Sequence, residues 1–334
     1  MKYSIIIPVY NRPDEIDELL DCLTHQNCND FEVIVVEDGS SEKCNLVVQK
    51  YSGRLDIKYF YKPNSGPGPS RNYGMEKAQG EFLIFFDSDC LIPPGYMEVL
   101  DKSLTLNGLD AFGGPEKPHG TFTDIQKAIT CSMTSFITTG GIRGKKKRMD
   151  KFQARSFNMG FSREVYHKVG GFSNAKVGED GDMSYRIQDA GFSIGLIEEA
   201  FVYHKRRISF KAFIRQVYRF GIGRIFLMKW YPARRKVVYF LPSAFLTGNL
   251  LLVILSLFVS WSFALLLLFP ALLFFLDSLV QTKNLKIALL SILAGYIQLF
   301  GYGAGFLKGW WKIFVLREDE RQAFKNLFYT DSAR

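Results

Sequence analysis

The chain has 334 residues, 47% hydrophobic and 22% charged, enough for one large domain or two ordinary ones and globular in its average composition. Its five cysteines (Cys22, Cys28, Cys44, Cys90, Cys131) are odd in number, scattered and without metal-ligand spacing, which implies no disulfide framework and suits a reducing compartment. The net charge of +9 raises the question of nucleic acid, but the basic residues gather between Lys205 and Lys236, just before a long apolar region, with no zinc-finger spacing, helix-turn-helix pattern or aromatic nucleic-acid signature. Anionic lipid headgroups are the partner this placement favours.

In chain order, Ser4 to Val9 is a β-branched run closed by Pro8 and the Asn11-Arg12-Pro13 turn, and Asp14 to His25 places Ile16, Leu19, Leu20 and Leu23 on one helical face. The amino terminus, MKYSIIIPVYN, carries too short an apolar run for a signal peptide, so the first part of the chain is expected to stay in the cytoplasm. Phe31 to Val36 is a second buried strand ending at Glu37-Asp38-Gly39-Ser40. A helical stretch to about Tyr51 and a third strand, Ile57 to Tyr61, follow. The Gly/Pro loop from Asn64 to Ser70 leads to a predicted helix over Arg71 to Ala78. Next comes FLIFFDSD, an apolar strand that leaves the sheet on Asp87 and Asp89. Repeated β-α-β units with short loops predict a twisted, mainly parallel, Rossmann-like α/β sheet, and its strand ends at Tyr10-Asn11, Glu37-Asp38 and Asp87-Asp89 share one edge.

An Asp at a strand end is ordinarily a turn former. A D-x-D pair offers more, since it aims oxygen ligands at Mg²⁺ or Mn²⁺, and an ion held there neutralises a diphosphate and improves it as a leaving group. Asp38 suits acceptance of a hydrogen bond from a nucleobase N–H, and Tyr10 supplies a flat face beside it. Arg71, after a glycine-rich loop, suits phosphate oxygens. The loop lacks the G-K-[ST] ending of a P-loop.

A second acidic group is GEDGDMSYRI, Gly178 to Ile187, whose Glu179, Asp180 and Asp182 precede a helical pattern. Capping and dipole compensation explain one acid there, and three exceed that need. Asp180, if aimed into the cleft, acts as general base on an acceptor hydroxyl. His204 follows the strand-like Ala200 to Tyr203 and reads equally as a structural histidine or as a metal ligand.

Taken in order, SIIIPVYNR, VIVVEDGS, GPSRNYG, FFDSD, NMGFSREVYHKVGGF, GEDGDMSYRI and VYHK resemble the family 2 glycosyltransferases, inverting enzymes with the A-type (GT-A) fold. The later RQVYRFGIGR and the apolar carboxyl-terminal region resemble membrane-associated members that build bacterial polysaccharides, including succinoglycan-type enzymes. The resemblance implies a nucleotide-sugar donor, with Pro8, Tyr10, Glu37, Asp38, Arg71, Asn72 and Asp87 on the donor side. It further implies Mn²⁺ or Mg²⁺ held by Asp87, Asp89 and His204, Asp180 as catalytic base beside Glu179, and a single displacement with inversion. The acceptor is expected to be lipid-linked or polysaccharide, with Asp182, Gln216 and Arg219 on its side. Two departures stand out: Glu37-Asp38 replaces the usual Asp-Asp, and Phe220 replaces the Trp of the Q-x-x-R-W signature, which puts processivity in doubt.

Three segments make up the expected organisation. Residues 1–235 form the cytoplasmic catalytic domain, with its donor half to about 115 and its acceptor half from 116. Residues 236–309 form a membrane region of two to three helices, and 310–334 a polar tail. The run from Val237 to Leu276 carries no charged side chain and Ile287 to Leu307 adds another, where about 20 residues suffice for one crossing. The predicted crossings are Tyr239 to Val259 and Ser262 to Val280. Lys308, Lys312 and Arg317 favour a cytoplasmic tail, and so two crossings with an interfacial or re-entrant third segment, whose Gly295, Gly301, Gly303, Gly305 and Gly309 permit close helix contact. Asp124 to Phe136 reads as a helix beside the acceptor cleft. Lys145 to Arg148 reads as a solvated loop or as a basic flap that meets phosphate. Two alternatives stay open: a transferase acting on polyprenyl phosphate, and a non-catalytic nucleotide-sugar-binding scaffold, against which the intact Asp87, Asp89 and Asp180 argue.

Overall fold

The computed structural model describes residues 1–140, 152–205 and 209–329, so the Lys145–Arg148 expectation lies outside the described residues. The first half alternates strands and helices: β1 (Tyr3–Val9), α1 (Pro13–Thr24), β2 (Phe31–Asp38), α2 (Asn45–Gln49), β3 (Asp56–Lys62), α3 (Pro67–Lys77), β4 (Phe82–Phe86), β5 (Cys90–Leu91) and α4 (Tyr96–Asn107). There follow β6 (Ala111–Gly113), β7 (Glu116–Lys117), α5 (Asp124–Thr134), α6 (Phe136–Thr139), β8 (Asn158–Ser162), α7 (Arg163–Val169), α8 (Glu179–Asp189), β9 (Ile194–Leu196) and β10 (Val202–His204). Two of these differ from the sequence reading. α3 begins inside the Gly/Pro loop, because Pro67 fits a first helical turn and Gly66 supplies the φ of 93° that precedes it. His204 lies within a strand rather than after one.

A seven-stranded sheet has the order β3-β2-β1-β4-β8-β6-β9, and only β8 runs against its neighbours. Strands buried on both faces read as continuous apolar runs, which is why Ser4–Val9 and Phe82–Phe86 were visible in the sequence. Their side chains alternate between two cores. Ile5, Ile7, Val33 and Val35 pack with Leu19 and Leu20 of α1 and Met97 and Leu100 of α4. Ile6, Ile34 and Val36 pack with Met75 of α3 and Met183 and Ile187 of α8.

The chain runs outward from β1 to β3 and then returns to place β4 on the other side of β1, so a topological switch lies between β1 and β4. Their pairing ends at Ile6 and Phe85, while β1 stays paired with β2 through Pro8 and Val9. Pro8, which has no N–H to give, therefore sits where the ladder has opened. A small second sheet, β5-β10-β7, joins the end of the D-x-D segment to His204 and Glu116.

Beyond the sheet lie α9 (Phe210–Trp230), α10 (Leu241–Phe258), α11 (Leu268–Thr282) and α12 (Leu285–Trp310). Among the described residues, three helical segments are long and apolar enough to cross a membrane: Val237–Phe258, Trp261–Thr282 and Leu285–Val315. The first two are almost bare, whereas half of the third is buried. Part of that burial is against α9, because Gly305 faces the Tyr218 carbonyl and Gly221 faces the Tyr302 carbonyl, and a Cβ on either would lie within 2.2 Å of the opposing oxygen. Phe213 and Val217 of α9, Ile129 and Met133 of α5, and Ala294 of α12 share one core. After α12 the chain returns to the α/β body, where Phe328 bridges to Ala175 and Tyr329 N donates to the Asn174 carbonyl at 3.0 Å.

Candidate active site

The open edge at the switch gathers residues from distant parts of the chain. Arg71, in the first turns of α3, is only 2% exposed, and its guanidinium bridges two acids: Nη2 donates to Asp87 Oδ1 at 2.5 Å and Nη1 to Glu179 Oε1 at 2.8 Å. Both terminal nitrogens are thus committed to carboxylates. The expectation that Arg71 meets phosphate oxygens directly is replaced by a buried bracket, because full burial leaves the cation needing counter-charges from the protein itself. Burial, with Asp180 and Asp87 nearby, pushes the Glu179 carboxyl up to about 7 against the pull of Arg71. Glu179 sits there because Gly178, at φ 78°, turns the chain into α8.

The second carboxylate of D-x-D faces another way. Asp89 Oδ1 lies 3.2 Å from His204 Nε2, and His204 Nδ1 lies 3.3 Å from Glu116 Oε2, so a carboxylate on each side fixes the imidazole. The phenyl ring of Phe157 stacks on it at 4.6 Å. Arg12 Nη1 reaches Asp89 Oδ2 at 3.9 Å. Asp89, Cys90 and His204 present ligand atoms within 4.8 Å of one another. The Cys90 thiol turns to the Phe157 carbonyl at 3.5 Å, which leaves a carboxylate oxygen and an imidazole nitrogen with a carboxylate behind it. That donor set fits Mn²⁺ well and Mg²⁺ less well. Asp87 is not part of this group, since its near oxygen is taken by Arg71.

On the other side of β1, Tyr10 is 51% exposed at the strand end and presents its ring to solvent. Asn11, at φ 51°, accepts from Ser41 N at 2.8 Å and so ties the β1 and β2 ends together. Asp38 is 3% exposed and accepts from Lys62 Nζ at 2.7 Å, Ser65 N at 2.9 Å and Gly66 N at 2.6 Å. Tyr329 packs over this loop: its hydroxyl is 3.4 Å from Gly68 N, and a Cβ on Gly66 would fall 2.0 Å from its ring.

Two expected donor residues are turned inward. Glu37 is fully buried and accepts from Ser40 Oγ, Cys44 N and Tyr59 OH, so it supports the loop after β2 rather than facing a ligand. Asn72 is occupied with the GGF turn, donating to the Phe172 carbonyl at 3.0 Å and accepting from Phe172 N at 2.8 Å. In both cases a nearby backbone segment needed the polar partner first.

Asp180 lies 3.2 Å from Arg155 Nη1 and accepts from Gly181 N at 2.8 Å. It opens onto a cavity of 550 Å³ that also touches Asp87, Glu179 and His204, then runs between α9 and the apolar helices to Pro242, Phe245 and Leu299. Gln216 lines this cavity, with Phe220, Gly223 and Arg224 continuing the same stripe of α9. Arg219, expected beside Gln216, points into a separate cavity of 360 Å³ with Arg215, Lys308 and Lys312, because the helix turns about 100° per residue and carries it off the stripe. Asp182, also expected on the acceptor side, is buried and held by Arg186 at 3.0 Å and the Tyr231 hydroxyl at 2.7 Å.

Residues 4–170 match the family described as glycosyl transferase family 2, and residues 156–278 match glycosyl transferase family group 2. The chain belongs to glycosyl transferase family 2. One family relative is the poly(ribitol-phosphate) beta-N-acetylglucosaminyltransferase TarS of Staphylococcus aureus (strain Mu50), 43% identical over 150 residues, which are 42% of this chain and 26% of TarS. Another is the glycosyltransferase AglE of Haloferax volcanii, 26% identical over 227 residues, 66% of this chain and 72% of AglE. The chain spans only 15% of an uncharacterized glycosyltransferase of Rickettsia bellii that it matches at 37% identity. In fold, this family 2 member is similar to the mannosyltransferase PcManGT from Pyrobaculum calidifontis, with a TM-score of 0.66, 18% identity, and coverage of 93% of this chain and 87% of that one. The fold is GT-A-like.

Within this family 2 site, Arg12, Glu116, Arg155 and Tyr329 escaped the sequence reading. Glu116 had a legible signal: it follows the short strand Ala111–Gly113 at Gly114-Pro115, a polar strand end like the others. Tyr329 had none, since its place depends on the tail folding back across the catalytic body.

Proposed function

We propose that the protein is an inverting glycosyltransferase that moves a sugar from a nucleotide-sugar donor to a lipid-linked or other membrane-associated glycan acceptor. One observation carries this reading: a single cavity begins at Asp87, Glu179, Asp180 and His204 and ends against the helices that are long and apolar enough to cross a membrane. A soluble acceptor would have no use for such a wall.

Asp180 is the general base. It takes the proton of the acceptor hydroxyl on the cavity side, while Arg155 keeps it oriented. Arg71 holds Asp87 and Glu179 in register, so that the acids face the cleft at fixed separation. The exposed ring of Tyr10 flanks the base of the donor, and Asp38 shapes that pocket from behind by holding Lys62, Ser65 N and Gly66 N. Asp89 and His204 would hold Mn²⁺ or Mg²⁺, with Asp87 facing the same diphosphate, and the ion when bound neutralises charge on the departing nucleotide. The mannosyltransferase of similar fold is described with GDP-Man and Mn²⁺, which supports this donor class and ion.

The reading includes a topology. Val237–Phe258 and Trp261–Thr282 cross as a hairpin, and Leu285–Val315 lies at the cytoplasmic surface, half buried between α9 on one side and the hairpin on the other. Lys286 pairs with Asp124 at 2.7 Å at one end, and near the other end Gly305 sits against Tyr218, two contacts with the part of the chain before the apolar helices that support this arrangement.

The test is a screen of nucleotide sugars with the full chain in detergent, Mn²⁺ or Mg²⁺ against chelator, alongside Asp89→Ala and Asp180→Asn. Metal-dependent nucleotide release that both variants lose is the expected result. An intact protein that binds donor yet releases nothing, even with lipid-linked acceptors present, would replace the enzyme reading by a nucleotide-sugar-binding scaffold.

A further inference from the structure

Arg224 lies on the cavity wall one turn beyond Phe220 and is only 8% exposed. Its guanidinium is surrounded by tyrosines: the Tyr185 hydroxyl is 3.4 Å from Nη1, the Tyr239 ring centroid is 4.5 Å away, and the Tyr302 hydroxyl is also beside it. Among the described residues no carboxylate pairs with it. Buried charges are ordinarily matched by an opposite charge, so this cation faces a cavity that lacks its counter-ion.

Two amides repeat the observation from neighbouring helices. Gln216 of α9 and Gln298 of α12 both line the cavity, Gln298 is only 6% exposed, and the Oε1 of each has no hydrogen-bond partner. A buried amide without partners is costly, and the cost is met when a ligand supplies them. The same cavity has an apolar wall beside these groups, formed by Leu241, Pro242, Phe245 and Leu299. The cavity therefore calls for a ligand that combines an anion, a few hydrogen-bonding atoms and a hydrocarbon.

We propose that this cavity is a lipid-phosphate site: Arg224 takes the phosphate of a long-chain alcohol phosphate or diphosphate, Gln216 and Gln298 bond its polar head, and its chain lies against the apolar wall. The proposal deepens the transferase reading and rests on it, since it names the acceptor class. Arginine suits the task because its planar fork matches phosphate oxygens, and here the three surrounding tyrosines hold it without neutralising it.

The experiment titrates the full chain in detergent with farnesyl phosphate, farnesol and inorganic phosphate, reading affinity and thermal stabilisation, for wild type, Arg224→Gln, Arg224→Lys and Gln298→Leu. Wild type is expected to bind farnesyl phosphate at least about tenfold more tightly than farnesol, with inorganic phosphate far weaker than either. Arg224→Gln should bring farnesyl phosphate down to farnesol, and Arg224→Lys should restore part of the difference. Gln298→Leu keeps the cation and should show a smaller loss, which serves if Arg224→Gln does not fold. A wild-type protein that releases nucleotide from donor but binds farnesyl phosphate no better than farnesol overturns the assignment and leaves the transferase reading intact. One that binds farnesyl phosphate through Arg224 but releases no nucleotide from any donor supports the lipid-phosphate site and overturns the transferase reading instead.

Discussion

Arg71 Nη1 donates to Glu179 Oε1 at 2.8 Å and joins residues 108 positions apart, the first in the helix after the glycine-rich loop and the second in the helix that presents the proposed base. The contact locks α3 and α8 to one another beside Asp87 at the open edge of the sheet.

Removing the cation should therefore unsettle both helices together. Arg71→Met leaves Glu179 and Asp87 facing each other without a counter-charge, and the expected loss is about 3–5 kcal/mol. Thermal melts of the full chain in detergent measure it; a drop below about 1 kcal/mol would mean that water, and not Arg71, balances these acids.

The same acid gives the stability a pH slope. The folded Glu179 carboxyl titrates at about 7, against 4.5 for the unfolded chain, so the folded protein keeps a proton that the unfolded chain has released. That contribution is fully present below about pH 4.5 and is lost as pH rises through about 7. Melting temperature should fall across this window, and Glu179→Gln should flatten the fall. An equal slope in the variant would place the titration elsewhere.

The Glu116–His204–Asp89 chain makes a separate prediction about the ion. Glu116→Gln removes the carboxylate behind His204 Nδ1, and Mn²⁺ affinity should weaken about 10- to 100-fold, read as free Mn²⁺ by electron paramagnetic resonance. Unchanged affinity in a folded variant would remove His204 from the set of ligands.

Asp180→Asn should lower the turnover number about 100- to 10,000-fold with little change in donor KM, because the carboxylate faces the cavity and not the donor loop. A rise in KM at constant turnover would instead make Asp180 a binding residue.

The seam between α9 and α12 is testable through one methyl group. A Cβ at Gly305 would stand 2.0 Å from the Tyr218 carbonyl oxygen, a backbone atom that cannot swing aside. Gly305→Ala should cost about 1–3 kcal/mol or more in detergent melts, and Gly248→Ala, with open space around it, should cost almost nothing. Equal stability of the two would mean that the helices do not meet as closely as described.

Much of the architecture was legible in the residues because strands buried on both faces leave apolar runs, and their polar ends point at the edge where a parallel sheet gathers its ligands. FLIFF followed by Asp87 and Asp89 is such a case, and Gly178 before Glu179 marked the start of α8. What stayed hidden was orientation. Nothing in the spelling of Glu37 or Asn72 says that Cys44 N or Phe172 N will claim the side chain, and nothing in Gln216 and Arg219 says which of two cavities each enters. The third apolar segment carried the right glycines, yet only packing shows which neighbour each receives: Gly305 the backbone of α9, Gly303 that of α10, and Gly295 the Phe274 ring of α11.

Tyr329 bears on the order in which the molecule is made. The loop Gly66–Gly68 emerges early from the ribosome, but the ring that packs on it is encoded after all three apolar helices. The loop thus lacks that partner until the last of those helices has been translated. A chain stalled or cut before that point has the acids of the cleft without the finished wall around them, so completion of the Gly66–Gly68 loop is timed to follow synthesis of the apolar helices.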